Sequence, residues 1–181
     1  STYTEVFRWE SATKVYKTIT NITNAAPMVV TAASHGIPIG WRAKITNVGG
    51  MKEINSTSIY QVVTGTTTDT CIFNAVNAVG YTAYTTGGIL EYNAPTSLSG
   101  VTARMQIREK TNSTTTLDEL TTANGKIIID DVLKTITISI PATATELYTF
   151  KTAVYSMELV NGAVVTPFIY GNITLDTEIT R

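Results

Sequence analysis

Residues 101–108 constrain the fold of this chain more than any other stretch, because apolar and polar side chains alternate through them without a break. The apolar positions are Val101, Ala103, Met105 and Ile107. The positions between them are polar or basic: Thr102, Arg104, Gln106 and Arg108. Successive side chains of an extended backbone point to opposite faces. The pattern therefore predicts a β-strand that is buried on one face and solvated on the other.

The residues that follow predict more strands of the same kind. Residues 117–120 are expected to return antiparallel to the first strand, and residues 127–140 to form a hairpin. The stretch 141–148 is the one segment that favours a helix, with Pro141 at a position that the first helical turn tolerates.

A second hairpin is predicted near the end of the chain. Asn161-Gly162 separates two apolar runs, and this dipeptide favours the two positive φ angles of a type I′ turn. Pro167 lies in the returning arm and has no N–H to donate to a strand ladder. That arm is therefore expected at a sheet edge or with a bulge.

Residues 21–95 have a different sequence pattern, in which short apolar runs alternate with turns rich in glycine. The predicted strands are residues 28–31, 43–48, 59–63, 70–73 and 89–92. Glycine pairs such as Gly49-Gly50 and Gly87-Gly88 mark the turns between them. This spacing is typical of a small, strongly bent β-barrel.

Residues 1–20 contain two short extended runs, at 6–9 and 14–19, which predict a strand pair. The pair has too few apolar side chains to be stable alone. It must pack on strands from later in the chain.

Composition excludes several classes of function. Thirteen basic and fourteen acidic residues leave a net charge of −1, so no global field attracts nucleic acid or anionic lipid. No run approaches the roughly 20 apolar residues of a membrane-spanning helix, and Ser1–Glu5 has no signal-peptide pattern. Charged residues are only 15% of the chain, which fits either surface hidden in an assembly or a monomer coated with threonine.

The chain offers few groups for catalysis. Its one histidine, His35, lies in a turn and is expected to bond that turn, and its one cysteine, Cys71, lies in an apolar run as a small buried residue. One histidine and one cysteine do not make a triad or a zinc site. The acidic pair Asp130-Asp131 is best explained by turn geometry. We therefore expect no enzyme activity, no metal and no cofactor.

Two groups of residues are candidates for an interface. Arg104, Arg108 and Lys110 line the polar face of the first strand, where they either contact acidic residues of a neighbouring subunit or form a solvated face that guards an edge. Tyr81, Tyr84 and Tyr92 have three interpretations: a sugar-stacking platform, a buried contact with a partner, or part of the barrel core.

Several segments of the second half together resemble a family of small virion proteins of tailed bacteriophages. These segments are Leu98–Arg108, Leu120–Gly125, Tyr155–Val160 and the closing Glu178–Arg181. They are similar to the N-terminal sandwich domain of baseplate upper proteins, over roughly residues 96–181. In that family a short aromatic hairpin directly precedes the first of these strands, and Val6–Ile19 would be that hairpin. This sequence departs from the pattern because residues 21–95 stand between the two.

The intervening residues carry a resemblance of their own. Pro27–Thr31, Val48–Met51, Tyr60–Val62 and Gly80–Gly88 are similar to phage modules related to the first catalytic cysteine half-domain of ubiquitin-activating enzymes. In phages this module is a small barrel of tail and fibre proteins. No catalytic residue is carried over, and Cys71 matches none.

The two resemblances imply an all-β architecture and a structural role. The expected fold is an immunoglobulin-like β-sandwich, made of residues 1–20 and 96–181, with a small β-barrel at 21–95 inserted in one loop. The expected function is a tail, baseplate or fibre-attachment adaptor of the virion, made in the host bacterial cytoplasm. Its partners would be other virion proteins, in a homo-oligomer or ring, without nucleic acid or membrane insertion. A capsid-decorating protein and a carbohydrate-binding host-recognition module are the alternatives.

Overall fold

The regular secondary structure of the described residues is almost entirely β-strand, with 53% strand and 4% helix, which confirms the all-β prediction. The structure is a computed structural model that describes residues 1–55 and 61–176. Within these residues the helical segments are α1 (Ala142–Thr145) and a 3-10 turn at Lys52–Ile54, so the predicted helix at 141–148 is real but shorter. The predictions for 59–60 and for 178–181 lie outside the described residues.

In chain order the strands are β1 (Tyr3–Arg8), β2 (Glu10–Thr18), β3 (Asn21–Ile22), β4 (Met28–Thr31), β5 (Arg42–Gly49), β6 (Gln61–Val62), β7 (Gly65–Thr66), β8 (Thr70–Phe73), β9 (Thr86–Pro95), β10 (Thr102–Arg108), β11 (Thr116–Thr121), β12 (Ile127–Asp130), β13 (Thr135–Ile140), β14 (Thr152–Asn161) and β15 (Val164–Thr174).

The chain divides into two compact units, and the first is discontinuous. It comprises Ser1–Arg8, Ser97–Asp131 and Thr135–Arg181, while the second comprises Trp9–Thr96 and Val132–Lys134. The boundary near the N-terminus therefore follows Arg8 and not residue 20. Residues 9–20, which the resemblance places with the sandwich, belong to the second unit.

Strand pairing explains this difference. β1 pairs antiparallel with β13, from Tyr3 opposite Ile140 to Arg8 opposite Thr135. β2 pairs instead with β9, from Lys14 opposite Asn93 to Thr18 opposite Ile89. The prediction that the two N-terminal runs pair with each other is wrong, because each pairs with a strand from later in the chain that carries buried apolar side chains, such as Ile138 on β13 and Leu90 on β9.

The first unit is a sandwich of two antiparallel sheets, in the orders β1-β13-β12 and β11-β10-β14-β15. β10 lies inside the four-stranded sheet and pairs with both β11 and β14. Its side chains at Ala103, Met105 and Ile107 are buried, and Arg104 is exposed. The predicted half-buried strand and the antiparallel return through β11 are both confirmed.

The hairpin between β14 and β15 is confirmed, but its turn differs from the prediction. Asn161 pairs with Val164, so the two loop residues are Gly162 and Ala163. Gly162 has a φ of +58°, and neither Asn161 nor Ala163 has a positive φ. This is the pattern of a type II′ turn, with glycine first, and not of type I′. β15 is both a sheet edge and shifted in register beside Pro167, as the proline predicts.

The second unit contains two antiparallel sheets, in the orders β2-β9-β5-β6 and β3-β4-β8-β7. The chain bends from β2 into β3 and from β6 into β7, so two bent strands pass from one sheet to the other. Backbone hydrogen bonds continue through both bends: Ile19 N–H to Gly88 O at 2.9 Å, Thr20 N–H to Thr31 O at 2.9 Å, Val63 N–H to Trp41 O at 2.8 Å and Thr64 N–H to Ile72 O at 2.8 Å. The ladder therefore runs round a small closed barrel.

A single apolar core fills this barrel. Its largest fully buried side chains are Trp41, Tyr92, Phe73, Met28 and Met51. Alternate residues of β4, β5, β8 and β9 supply the core, so the short predicted strands present one apolar face as expected.

Candidate interaction surfaces

The two arginines of β10 are tied to side chains and carbonyl groups of the same chain. Arg104 lies opposite Glu158 on β14, and its Nε and Nη2 are 2.9 Å and 2.8 Å from Glu158 Oε2. Arg108 Nη2 donates to Gln106 Oε1 at 2.7 Å, and Nη1 donates to the carbonyl of Ser113. Lys110 is exposed in the turn after β10. The charge of Arg104 is thus paired within the chain, and less basic charge is left on this face for a neighbouring subunit.

Tyr81 and Tyr84 lie between β8 and β9, where both rings are partly buried against the barrel core. The Tyr84 hydroxyl is 2.9 Å from the carbonyl oxygen of Gly87 and 3.1 Å from that of Ile19. Asn24 Nδ2 donates to the Tyr81 carbonyl at 2.7 Å, which fixes this segment to the barrel. Of the three interpretations of these tyrosines, the geometry favours packing within the barrel.

His35 and Cys71 meet inside the second unit as an uncharged pair. Cys71 is fully buried, and its Sγ is 3.5 Å from His35 Nε2. Burial raises the pKa of the Cys71 thiol to about 12 and lowers the pKa of His35. A protonated thiol beside a neutral imidazole is not an activated nucleophile. The buried position predicted for Cys71 is confirmed.

His35 bonds its own turn, as the sequence predicts. The Ile37 N–H donates to Nδ1 at 3.0 Å, so Nε2 carries the ring hydrogen, and Nε2 is 3.1 Å from the carbonyl oxygen of Thr70. The hydroxyl of Tyr92 donates to the His35 carbonyl. Turn, strand β8 and strand β9 are therefore joined through one residue.

Asp131 lies in the turn between β12 and β13, where its Oδ1 accepts the Leu98 N–H. Of the acidic pair that the sequence assigns to a turn, only Asp131 lies in it, because Asp130 is the last residue of β12 and pairs with Thr135. In the parts of the chain that the structure describes, no group of three or more histidine, cysteine or acidic side chains is placed to hold a metal ion. No helix among those residues is long and apolar enough to cross a membrane.

A polar triad in the first unit joins three segments. Asp118 on β11 accepts hydrogen bonds from Lys126 Nζ at 2.6 Å and 2.8 Å and from the Tyr148 hydroxyl at 2.5 Å. Burial pushes the pKa of Asp118 up, but the bonds from Lys126 and Tyr148 lower it overall. The pKa of Tyr148 is raised by burial and by Asp118. The triad attaches the segment after α1 to the sandwich.

A large apolar cleft lies between the two sheets of the first unit, and it is the feature that sequence reasoning missed. Its volume is about 1170 Å³. Tyr3 and Phe7 of β1 and Ile138 of β13 line one side, while Met105, Tyr155 and Ile173 line the other. Phe7 contacts Phe168 of β15 edge to face, with ring centroids 5.4 Å apart. We call this space the β1/β15 cleft.

The sequence holds only part of the signal for this cleft. Alternation in 101–107 and 136–140 predicts the apolar side chains that line it. Which strands end as edges depends on pairing between residues more than a hundred positions apart, such as Tyr3 and Ile140. A local pattern carries no information on such a pairing.

Comparison of the chain with protein-family models finds no matching family, and comparison with curated proteins finds no match.

Proposed function

We propose that this protein is a structural component of a tailed-bacteriophage virion, an adaptor of the tail, baseplate or fibre attachment that acts through protein–protein contacts. The observation that carries the proposal is the interrupted first unit. The chain leaves it after Arg8 and re-enters at Ser97. The two sequence resemblances imply an interrupted sandwich of this kind, although they put the N-terminal boundary after residue 20 and not after Arg8.

The position of the resembling segments adds support. Thr102–Arg108 and Tyr155–Val160 lie on β10 and β14, which are hydrogen-bonded neighbours in the four-stranded sheet. Segments that resemble one domain of another family thus come together in one sheet of this chain. An adaptor of this kind is expected to act as a homo-oligomer or ring.

Mass spectrometry of purified particles tests the proposal. We expect peptides of this chain in gradient-purified virions, at a constant copy number per particle if a closed ring is formed. Size-exclusion chromatography with light scattering measures whether the isolated chain is an oligomer. Peptides found in the infected-cell lysate and absent from particles would overturn the virion assignment. Immunogold label on the head would move the protein from the tail to the capsid.

A further inference from the structure

The β1/β15 cleft is unusual because the interior of a sandwich is normally close-packed. A space of about 1170 Å³ exceeds the usual range of small-molecule pockets, roughly 300–1,000 Å³. Its walls are the inner faces of two sheets, with Ile107 and Ile138 on opposite sides. The volume and the apolar side chains of the walls therefore suit an occupant that carries several apolar side chains.

The strands beside the cleft are both sheet edges. Among the described residues β1 pairs only with β13, and β15 pairs only with β14. An edge strand presents unpaired N–H and C=O groups to an added strand. β15 contains Pro167 and a register shift, whereas the six residues of β1 contain no proline and keep an even register with β13. β1 is thus the better template for a further strand.

The charged side chains that line the cleft are acidic. Glu146 and Asp176 line it, and no lysine or arginine side chain of the described residues does. Glu5 lies on the same face of β1 as Tyr3 and Phe7, and burial raises the pKa of Tyr3, with smaller contributions from Glu5 and Tyr155. Carboxylates at the rim of an apolar groove favour a partner that carries basic side chains.

We propose that the β1/β15 cleft binds an extended strand of a partner protein. The strand pairs with the free edge of β1, places alternate apolar side chains between the two sheets, and sets lysine or arginine near Glu5, Glu146 and Asp176. This is strand addition, in which the backbone ladder gives affinity and alternate side chains give specificity. The inference deepens the proposed function and rests on it for the kind of partner, a neighbouring structural protein.

Selection from a cell-surface library of random peptides tests this inference. Peptides of about eight residues span the six residues of β1 with one residue at each end. The labelled full chain should enrich sequences in which one face of the strand is apolar and a basic residue stands on that same face or at an end of the peptide, where it can reach Glu5, Glu146 or Asp176. Fluorescence polarisation of the selected peptides then gives their affinity for the purified chain.

Matched variants decide whether the cleft is the site. Ala142→Trp places an indole in the cleft and should weaken binding about tenfold or more, whereas Thr143→Trp, exposed on α1 and outside the lining, should not. Glu146→Lys should weaken binding of the basic peptides, and Glu109→Lys, exposed outside the lining, should not. Unchanged melting curves of the four variants show that the fold is kept.

Several results would overturn the inference. The first is that no peptide is enriched above the display scaffold. The second is that the enriched peptides carry apolar residues at helical spacing. The third is that Ala142→Trp binds the selected peptides as tightly as the wild type does. A wild-type dimer that Ala142→Trp dissociates would assign the cleft to a second copy. Tighter peptide binding after removal of residues 177–181 would assign it to this chain's own end. The presence of the chain in virions is measured separately. If the chain is found in virions and binds no peptide, only this inference is overturned and the proposed function stands.

Discussion

His35 shows how one buried side chain couples a turn to the barrel. Its ring accepts the Ile37 N–H at Nδ1 and lies in hydrogen-bonding distance of the Thr70 carbonyl at Nε2. A second proton on the ring would have to go to Nδ1 and would break the bond from Ile37. Burial lowers the pKa of His35, with Lys17 acting in the same direction and Thr70 and Asp69 opposing.

We therefore predict that acid destabilises the second unit through His35. The unfolded histidine takes up a proton below about pH 6.5, and the folded one resists it. The contribution to stability is complete above that pH and is lost as pH falls towards the lowered pKa. Urea unfolding between about pH 7.5 and 5 should show this loss.

His35→Asn is the control for this prediction, because its Oδ1 can accept the Ile37 N–H and does not titrate. Its free energy of unfolding should be flatter than that of the wild type over the same range. Parallel curves for the two proteins would show that another group is responsible.

At the scale of the element, the hairpin of β14 and β15 shows how pairing selects the turn. The dipeptide Asn161-Gly162 favours type I′ locally, but the register places Asn161 opposite Val164, inside the strands. Glycine then becomes the first loop residue, with the positive φ that a type II′ turn requires there. The cross-strand register thus overrides the local preference of the dipeptide.

The type II′ turn predicts that a valine substitution has a small effect on stability at Asn161 and a large one at Gly162. Asn161→Val should change the free energy of unfolding by less than about 0.5 kcal/mol, since Asn161 is an exposed strand residue. Gly162→Val should cost about 1–2 kcal/mol or more, because a β-branched residue is strained at positive φ. Chemical denaturation of the two variants measures both. Equal losses at the two positions would favour the type I′ turn.

At the scale of the whole molecule, the two units have separate sheets and separate buried cores. The second unit has its own cluster of buried side chains, from Ile19 to Tyr92. In the first unit β10 holds the centre of a sheet and points Met105 into the interior at 5% exposure. Each unit therefore has the apolar surface that stabilises a fold of its own.

We predict that Met105→Lys unfolds the first unit and leaves the second folded. An unpaired charge in the sandwich interior costs several kcal/mol, about the stability of a small domain. Hydrogen exchange should show lost protection in β1, β10 and β14, and kept protection in β2, β5 and β9.

Gln106→Lys is the matched control, because the Gln106 side chain lies on the polar face of β10, where its amide donates to Glu119 and accepts from Arg108. It should leave both units protected. Loss of protection in β2 together with β1 in Met105→Lys would place the boundary after residue 20 instead of after Arg8.

The sequence alone determined the class of fold and most of the strands, because period-two alternation and turn residues act over a few positions. It located β10, the hairpins of β12 with β13 and β14 with β15, and the burial of Cys71. It identified Arg104, Arg108, Tyr81 and Tyr84 as candidate contacts without showing that Arg104 pairs with Glu158 or that Tyr84 packs on the barrel.

Tertiary structure alone decided where the N-terminal runs belong, how the β14–β15 turn is made and that the sandwich stays open beside β1. Each depends on pairing between distant strands, as in Glu5 opposite Ile138 or Val15 opposite Tyr92. Long-range pairing is chosen by the apolar area that a strand can bury against a particular neighbour, and this area exists only once the sheets have formed.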